Sequence, residues 1–544
     1  MGMYLNPGCS RFKTIRNDIY VDKTNLIAFI NDLIDKPKPL VCFSRPRRFG
    51  KSFAASMLCA YYDRSCDSRF LFEGLDISKT GDFERFLNQY NVISFDVTGF
   101  IKVSGNRKMN PLERMQNTLF RELKEAFPDC IDDEEEDLAT ALYSVVSGGN
   151  ARFVFIIDEW DALFREFKDD VQLQENYILF LRNIFKNQDT TEATIAAAYM
   201  TGILPIKKYG TESALSDFKE FTMADPLTLS QYVGFTEADV QELCEAYHVS
   251  FDEMKQWYDG YTFDDEKSVY SPNSVMSAVK FRRFRNYWSQ SESFESLKRY
   301  IDENFDGLKD AIIMMLGGQR IPIDISTFQN DITSFKNKDD VLTLLIHLGY
   351  LAYDRPKRES FIPNQEVAEI FRSTTKGGKW RPVERAIERA ENLLDATIRQ
   401  DSETVARLLE VVHEECTSVL KYNDENSLAC VIYIAYYTAG NYYMVVRELA
   451  AGKGYADYAF IPGQGTDKPA MIVELKYDKN ADTAIRQIHD NRYGGVLKEY
   501  FGNLRRQPGF MPLNGAAIIF CLKKALIFLY NRRPFGRRYH FPML

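Results

Sequence analysis

Two groups of residues in this chain have the types and spacing of phosphate chemistry. The first is Arg45-Pro46-Arg47-Arg48-Phe49-Gly50-Lys51-Ser52, which follows a short apolar run, Leu40 to Ser44, and precedes a stretch of helical character, Phe53 to Tyr62. In the order strand, loop, Gly-Lys-Ser, helix, backbone N–H groups and a helix N-terminus face a polyphosphate. The lysine reaches the outer phosphates and the serine hydroxyl binds Mg²⁺. Arg45 stands where the usual P-loop spacing has its first glycine, and a Cβ there restricts the loop. The second group is Asp457, Glu474 and Lys476. In an extended run from Ala470 to Tyr477, Glu474 and Lys476 share one face, and Asp457 at the start of the neighbouring strand can close a carboxylate pair with Glu474. Two hard oxygen ligands suit Mg²⁺ or Mn²⁺, while the ammonium can orient a water or stabilise charge developing on phosphorus. That spacing is short and degenerate, and an amphipathic strand alone would account for it.

The elements around the first group strengthen it. Arg152 leads into a continuous apolar run, Phe153 to Ile157, ending in Asp158-Glu159, the Walker B pattern. Such a strand belongs in the centre of a parallel sheet, with its C-terminal end where ligands sit in such sheets. Asp158 would hold Mg²⁺, directly or through water, and Glu159 would polarise the attacking water. A further run, Ile195 to Met200, ends at Thr201-Gly202, where Thr201 is placed to sense a γ-phosphate. Another, Asn91 to Phe95, ends at Asp96. In combination these imply an ATP-binding α/β domain.

Val341 to Gly349 followed by two short strands around Asp354–Glu359 reads as a helix and a β-hairpin, a winged-helix pattern. Its wing (Arg355, Lys357, Arg358) either touches DNA or serves only as a packing lid. His347 in that apolar helix is expected to be a core histidine. The acidic run Asp132 to Asp137 reads as a solvated loop or helix start, the turn-rich Asp264 to Asn273 as a boundary, and Arg381 to Leu420 as a helical bridge. The expected domains are therefore 1–265 (P-loop), 266–380 (helical and winged-helix-like), 381–420 (bridge) and 421–544.

Composition narrows the class. The 544 residues are 45% hydrophobic and 27% charged, which excludes a disordered or collagen-like chain. The nine cysteines show no CxxC spacing and the five histidines no HExxH, so neither a disulfide framework nor a zinc hydrolase is indicated. The longest apolar candidate, Cys430 to Val446, is interrupted by Gly440 and Asn441, and the first twenty residues contain no signal-peptide core. A cytoplasmic protein without a membrane partner is the expectation. Net charge is −9, yet residues 421–544 hold 17 Lys and Arg against 10 Asp and Glu, a local +7. A basic end on an acidic body is the asymmetry of a chain that meets a polyanion.

The chain resembles bacterial AAA-ATPase-like proteins that pair a divergent P-loop domain with a C-terminal PD-(D/E)XK nuclease-type domain. The resemblance is carried by Tyr20-Val21-Asp22-Lys23-Thr24, the RPRRFGKS of Arg45 to Ser52, Leu71-Phe72-Glu73-Gly74-Leu75, Ile157-Asp158-Glu159, Thr201-Gly202 and Trp257-Tyr258-Asp259-Gly260-Tyr261. It implies that Arg45 is the usual residue at its position and does not count against ATP binding. It also implies a restriction-endonuclease-like α/β fold for 421–544, with Asp457 and Glu474 as metal ligands, Lys476 as the catalytic lysine, and Glu425 and Gln487 in support. The function implied is ATP binding and hydrolysis, with Mg²⁺ or Mn²⁺, coupled to cleavage of nucleic acid, DNA ahead of RNA. The alternative is a nucleotide-controlled switch or scaffold whose C-terminal domain binds nucleic acid or protein without cutting. Homo-oligomerisation stays open.

Overall fold

In the computed structural model, residues 2–37, 39–101, 110–132, 134–135, 137–186, 188–206, 208–209, 212–227, 229–263, 268–288, 292–316, 320–330, 335–374, 381–399, 401–417, 431–436, 439, 442–451, 454–462, 468, 471–477, 515–522 and 525–532 are described. They fall into two compact units, Met1–Arg299 with Pro322–Val367, and Tyr300–Ile321 with Ala368–Leu544.

The first unit is built on a parallel sheet. Its strands are β1 (Leu40–Ser44), β2 (Asn91–Asp96), β3 (Phe153–Asp158), β4 (Ile195–Gly202) and β5 (Lys219–Phe221), in the order β2-β3-β4-β1-β5. All four pairings are parallel. Parallel neighbours need crossovers, and helices lie between β1, β2, β3 and β4 in chain order. Every residue of β1 and β4 is buried, the signature of a sheet covered on both faces. The register aligns the strand ends: Ser44 lies opposite Gly202, and Asp96 opposite Asp158. Polar residues at these ends emerge on one edge, where the apolar strand gives way to loop.

Local signals fix the helices around this sheet. The P-loop helix α1 (Lys51–Tyr62) starts at Gly50, whose φ of 89° is one that glycine adopts at no steric cost. Asn110 caps Pro111–Ala126, with proline at the first helical position, and Asp170 caps Val171–Phe185. The last residue of the acidic run, Asp137, caps Leu138–Ser147 through the Thr140 N–H at 2.8 Å.

Further along, the helix Lys338–His347 leads into an antiparallel hairpin, Ala352–Asp354 with Glu359–Phe361. His347 is buried and stacked on Phe328, as a core histidine should be. On the hairpin turn, Arg355 is ion-paired with Asp225 at 2.6 Å.

In the second unit the stretch read as one helical bridge is two helices, Arg381–Ile398 and Ser402–Thr417. Asp401 breaks it: its carboxylate accepts the Thr404 N–H at 3.0 Å and restarts the chain as an N-cap. Five antiparallel strands follow, ordered Tyr443–Ala451, Gly454–Pro462, Met471–Tyr477, Ala525–Arg532, Gly515–Leu522.

Candidate functional site

At the C-terminal edge of the parallel sheet the loop 45–50 curls around the Lys51 ammonium. Lys51 is 4% exposed, and its Nζ donates to the carbonyls of Arg45 at 3.0 Å and Pro46 at 2.9 Å. Burial lowers its pKa, and the Glu159 carboxylate 3.9 Å away opposes that shift. The ammonium is thus buried between two loop carbonyls on one side and the carboxylates of Glu159 and Asp158 on the other.

Asp158 ends β3 beside this loop. Desolvation raises its pKa, while a hydrogen bond from the Ser52 hydroxyl works the other way. A serine hydroxyl and a carboxylate offer the hard oxygen donors that suit Mg²⁺. Glu159 follows with a left-handed φ of 50°, an uncommon conformation for a residue with a Cβ. Its pKa is raised by desolvation, which the Lys51 charge opposes.

Arg165 is the neighbour of these carboxylates that sequence reasoning could not select. Its side chain is buried, its Nη2 is ion-paired with Glu159, and its Nε donates to Asp161 at 3.0 Å. Asp161, fully buried, also accepts the N–H groups of Ile203 at 3.3 Å and Leu204 at 2.9 Å. One carboxylate therefore ties the turn after β3 to the exit of β4. Gly202 leaves room for it: a Cβ there would lie 2.6 Å from Asp161 Oδ1. The only advance signal was spacing, since Asp161 and Arg165 stand four apart on a helical stretch. Thr201 is buried near the end of β4, opposite Phe43 of β1.

The remaining loop residues are held by segments far along the chain. Arg45 turns inward: fully buried, it donates to the carbonyls of Ser44 at 3.1 Å and Phe221 at 3.0 Å, with its guanidinium over the Phe263 ring. Its Cβ therefore serves packing as well as restricting the loop. Phe49 is buried edge-on against Tyr261, at 5.3 Å between ring centroids, and against Trp288. Tyr261 in turn donates to the Gly349 carbonyl at 2.6 Å. Pro46 fits against Gly349, where a Cβ would come within 2.6 Å of its ring. Arg47 and Arg48 are exposed, and Arg48 donates to the Tyr287 carbonyl at 2.6 Å. The Tyr287 and Trp288 N–H groups are bonded to the buried Glu366 carboxylate.

For the second predicted group, Asp457 belongs to the strand Gly454–Pro462, and Glu474 and Lys476 to Met471–Tyr477. Those strands pair antiparallel, with Tyr458 opposite Val473. Glu425 and Gln487 lie outside the described residues. Among the described residues, no group of three or more His, Cys, Asp or Glu side chains gathers as a metal would require. Nor is any helix among them long and apolar enough to cross a membrane.

Comparison with known proteins matches two separate stretches of the chain. Residues 7–211 match a family model described as a predicted AAA-ATPase, and residues 423–505 match one for the PD-(D/E)XK nuclease superfamily. Over 291 residues, 52% of its length, the chain is 25% identical to an uncharacterized protein in the vnfD 5′ region of Azotobacter chroococcum mcd 1. It spans about half of that relative, 53%. One polypeptide thus matches an AAA-ATPase-like family model toward its N-terminal part and a PD-(D/E)XK nuclease-superfamily model toward its C-terminal part.

Proposed function

We propose that this chain binds ATP at residues 45–52 and couples its hydrolysis to Mg²⁺- or Mn²⁺-dependent cleavage of nucleic acid, DNA in preference to RNA. The observation that carries the first half is the buried Lys51 ammonium inside its own loop, flanked by Asp158 and Glu159 at the edge of a parallel sheet. Pro46 to Gly50 would wrap the phosphates, with Arg47 and Arg48 at the exposed rim. Ser52 and Asp158 would hold the nucleotide's Mg²⁺, which when bound neutralises charge on the outer phosphates. Glu159 would take the proton of the attacking water, and Thr201 would report on the γ-phosphate.

Cleavage is assigned to Asp457 and Glu474 as ligands of a second divalent ion and to Lys476 beside them, with Glu425 and Gln487 in support. Asp457 belongs to the strand that pairs with the one carrying Glu474 and Lys476, and alternation along an extended strand would bring Glu474 and Lys476 to one face. The two-family pairing and the basic C-terminal charge support a nucleic-acid substrate. The division into 1–265, 266–380 (with a winged-helix-like element), 381–420 and 421–544, and a cytoplasmic location, belong to this reading.

A second reading is favoured by one specific contact. The Glu159–Arg165 ion pair occupies the carboxylate that hydrolysis needs, so the chain would act as a switch that binds ATP and barely turns it over. Incubating the full chain with plasmid DNA and Mg²⁺, with and without ATP, separates the two. The first reading expects cutting that Lys476→Ala abolishes while ATP turnover persists. Equal cutting by wild type and Lys476→Ala removes the nuclease assignment; ATP binding without turnover or cutting supports the switch.

A further inference from the structure

Phe53 is 60% exposed although it occupies the first turn of α1, two residues after Lys51. Single exposed apolar residues are ordinary, but this one has a special position. Helical side chains lean toward the N-terminus, so the Phe53 ring covers the end of the loop 45–50. One turn on, Met57 lies about 40° round the helix from Phe53. Its sulfur is 3.6 Å from the Tyr20 hydroxyl. Tyr20 is fixed from two further sides, by the Arg16 guanidinium 4.9 Å over its ring and by the edge of Phe12 at 5.8 Å.

Tyr20 opens the motif Tyr20 to Thr24, and its other polar members have structural work. Asp22 accepts the Thr24 N–H at 2.8 Å, the Thr24 hydroxyl at 2.7 Å and the Asp76 N–H at 2.8 Å. Lys23 is ion-paired with Asp239, and Val21 packs on the core around Val240 and Tyr258. Met57 is buried and Tyr20 half-buried, so Phe53 is the well-exposed ring on this first turn of α1.

We propose that the exposed Phe53 ring is the stacking platform for the base of the nucleotide whose phosphates the loop holds. The inference rests on reading residues 45–52 as a phosphate loop, and names the residue that would hold the base. A phenyl ring senses the area of a base and is blind to its edge groups, so purine nucleotides are favoured over pyrimidine ones, with adenine and guanine alike.

Equilibrium binding of ATP, GTP, CTP and inorganic tripolyphosphate to the full chain tests this, with Phe53→Ala, Phe53→Trp and Lys51→Ala alongside. Because Phe53 is exposed, its variants should keep wild-type unfolding curves. Phe53→Ala should weaken ATP and GTP roughly 5- to 30-fold, the factor set by about 1–2 kcal/mol of stacking. It should leave tripolyphosphate unchanged, Phe53→Trp should restore both purines, and Lys51→Ala should weaken every ligand. Wild-type ATP affinity in Phe53→Ala overturns the platform and leaves the phosphate loop standing. So does equal loss of ATP and tripolyphosphate, which would make Phe53 a support of the loop. Failure of the wild type to bind tripolyphosphate or any nucleotide overturns the loop and the platform together.

Discussion

Gly349→Ala tests whether the phosphate loop is held in shape by a turn three hundred residues away in sequence. Gly349 has φ +83°, and a methyl there would stand 2.6 and 2.8 Å from two ring carbons of Pro46 and 2.9 Å from Trp288. Pro46 cannot rotate out of the way, and its carbonyl is one of two that bind the Lys51 ammonium. The left-handed backbone costs about 1 kcal/mol for alanine, and the overlap adds roughly 1–3 kcal/mol. The expected loss is thus about 2–4 kcal/mol, shared between unfolding and displacement of the loop. If a third of that falls on the loop, ATP affinity drops roughly 5-fold. Gly74→Ala is the control: Gly74 has φ +78° and nothing within 4 Å of its Cβ position, so it bears the backbone cost alone. Urea unfolding gives the stability change, and ATP titration at low denaturant gives the affinity. A Gly349→Ala protein that matches Gly74→Ala in both would refute the seating of Pro46 on that turn.

Arg165→Ala strands the Glu159 and Asp161 carboxylates in a buried setting, and removing one partner of such a network typically costs about 3–5 kcal/mol. Urea unfolding should show that loss, with Arg165→Lys recovering part of it; a change below about 1 kcal/mol would mean that the pair is dispensable. Glu366 supplies a pH dependence. Burial pushes its carboxyl up to about 7, against hydrogen bonds from the Tyr287 N–H, the Ser274 hydroxyl and the Trp288 N–H, and against the Arg48 charge. The folded state thus keeps a proton that the unfolded chain gives up above its ordinary value of 4.5. The associated stability is complete below that value and is lost as pH rises through about 7, to the extent of about 3 kcal/mol. Glu366→Gln should flatten the wild-type decline in unfolding free energy between pH 5 and 8; an unchanged slope would assign it to other groups.

Strand β1, the Gly50-Lys51-Ser52 turn and strand β3 were legible because a buried parallel strand is a plain apolar run and phosphate loops have fixed spacing. The hairpin at 352–361 was legible from its polar turn. Residues that act through contacts distant in sequence were not. Nothing local marks Tyr261 and Gly349 as the socket for Phe49 and Pro46, because such contacts exist only once the chain is folded. The Arg165–Glu159 pair was hidden for another reason: an arginine on a helical stretch reads as a surface residue until its burial is known. Similarly, Asp401 lies in a run of helical periodicity, and its capping bond overrides that pattern.

The most direct measurement is calorimetric titration of ATP with Mg²⁺ into the full chain and into Lys51→Ala, each shown to be folded by its unfolding curve. Saturable one-site binding is expected in the wild type. The variant should bind roughly 10- to 100-fold more weakly, as befits loss of a charge-assisted hydrogen bond to phosphate. Equal affinities, or no binding by the wild type, would contradict a phosphate-binding role for the loop around Lys51.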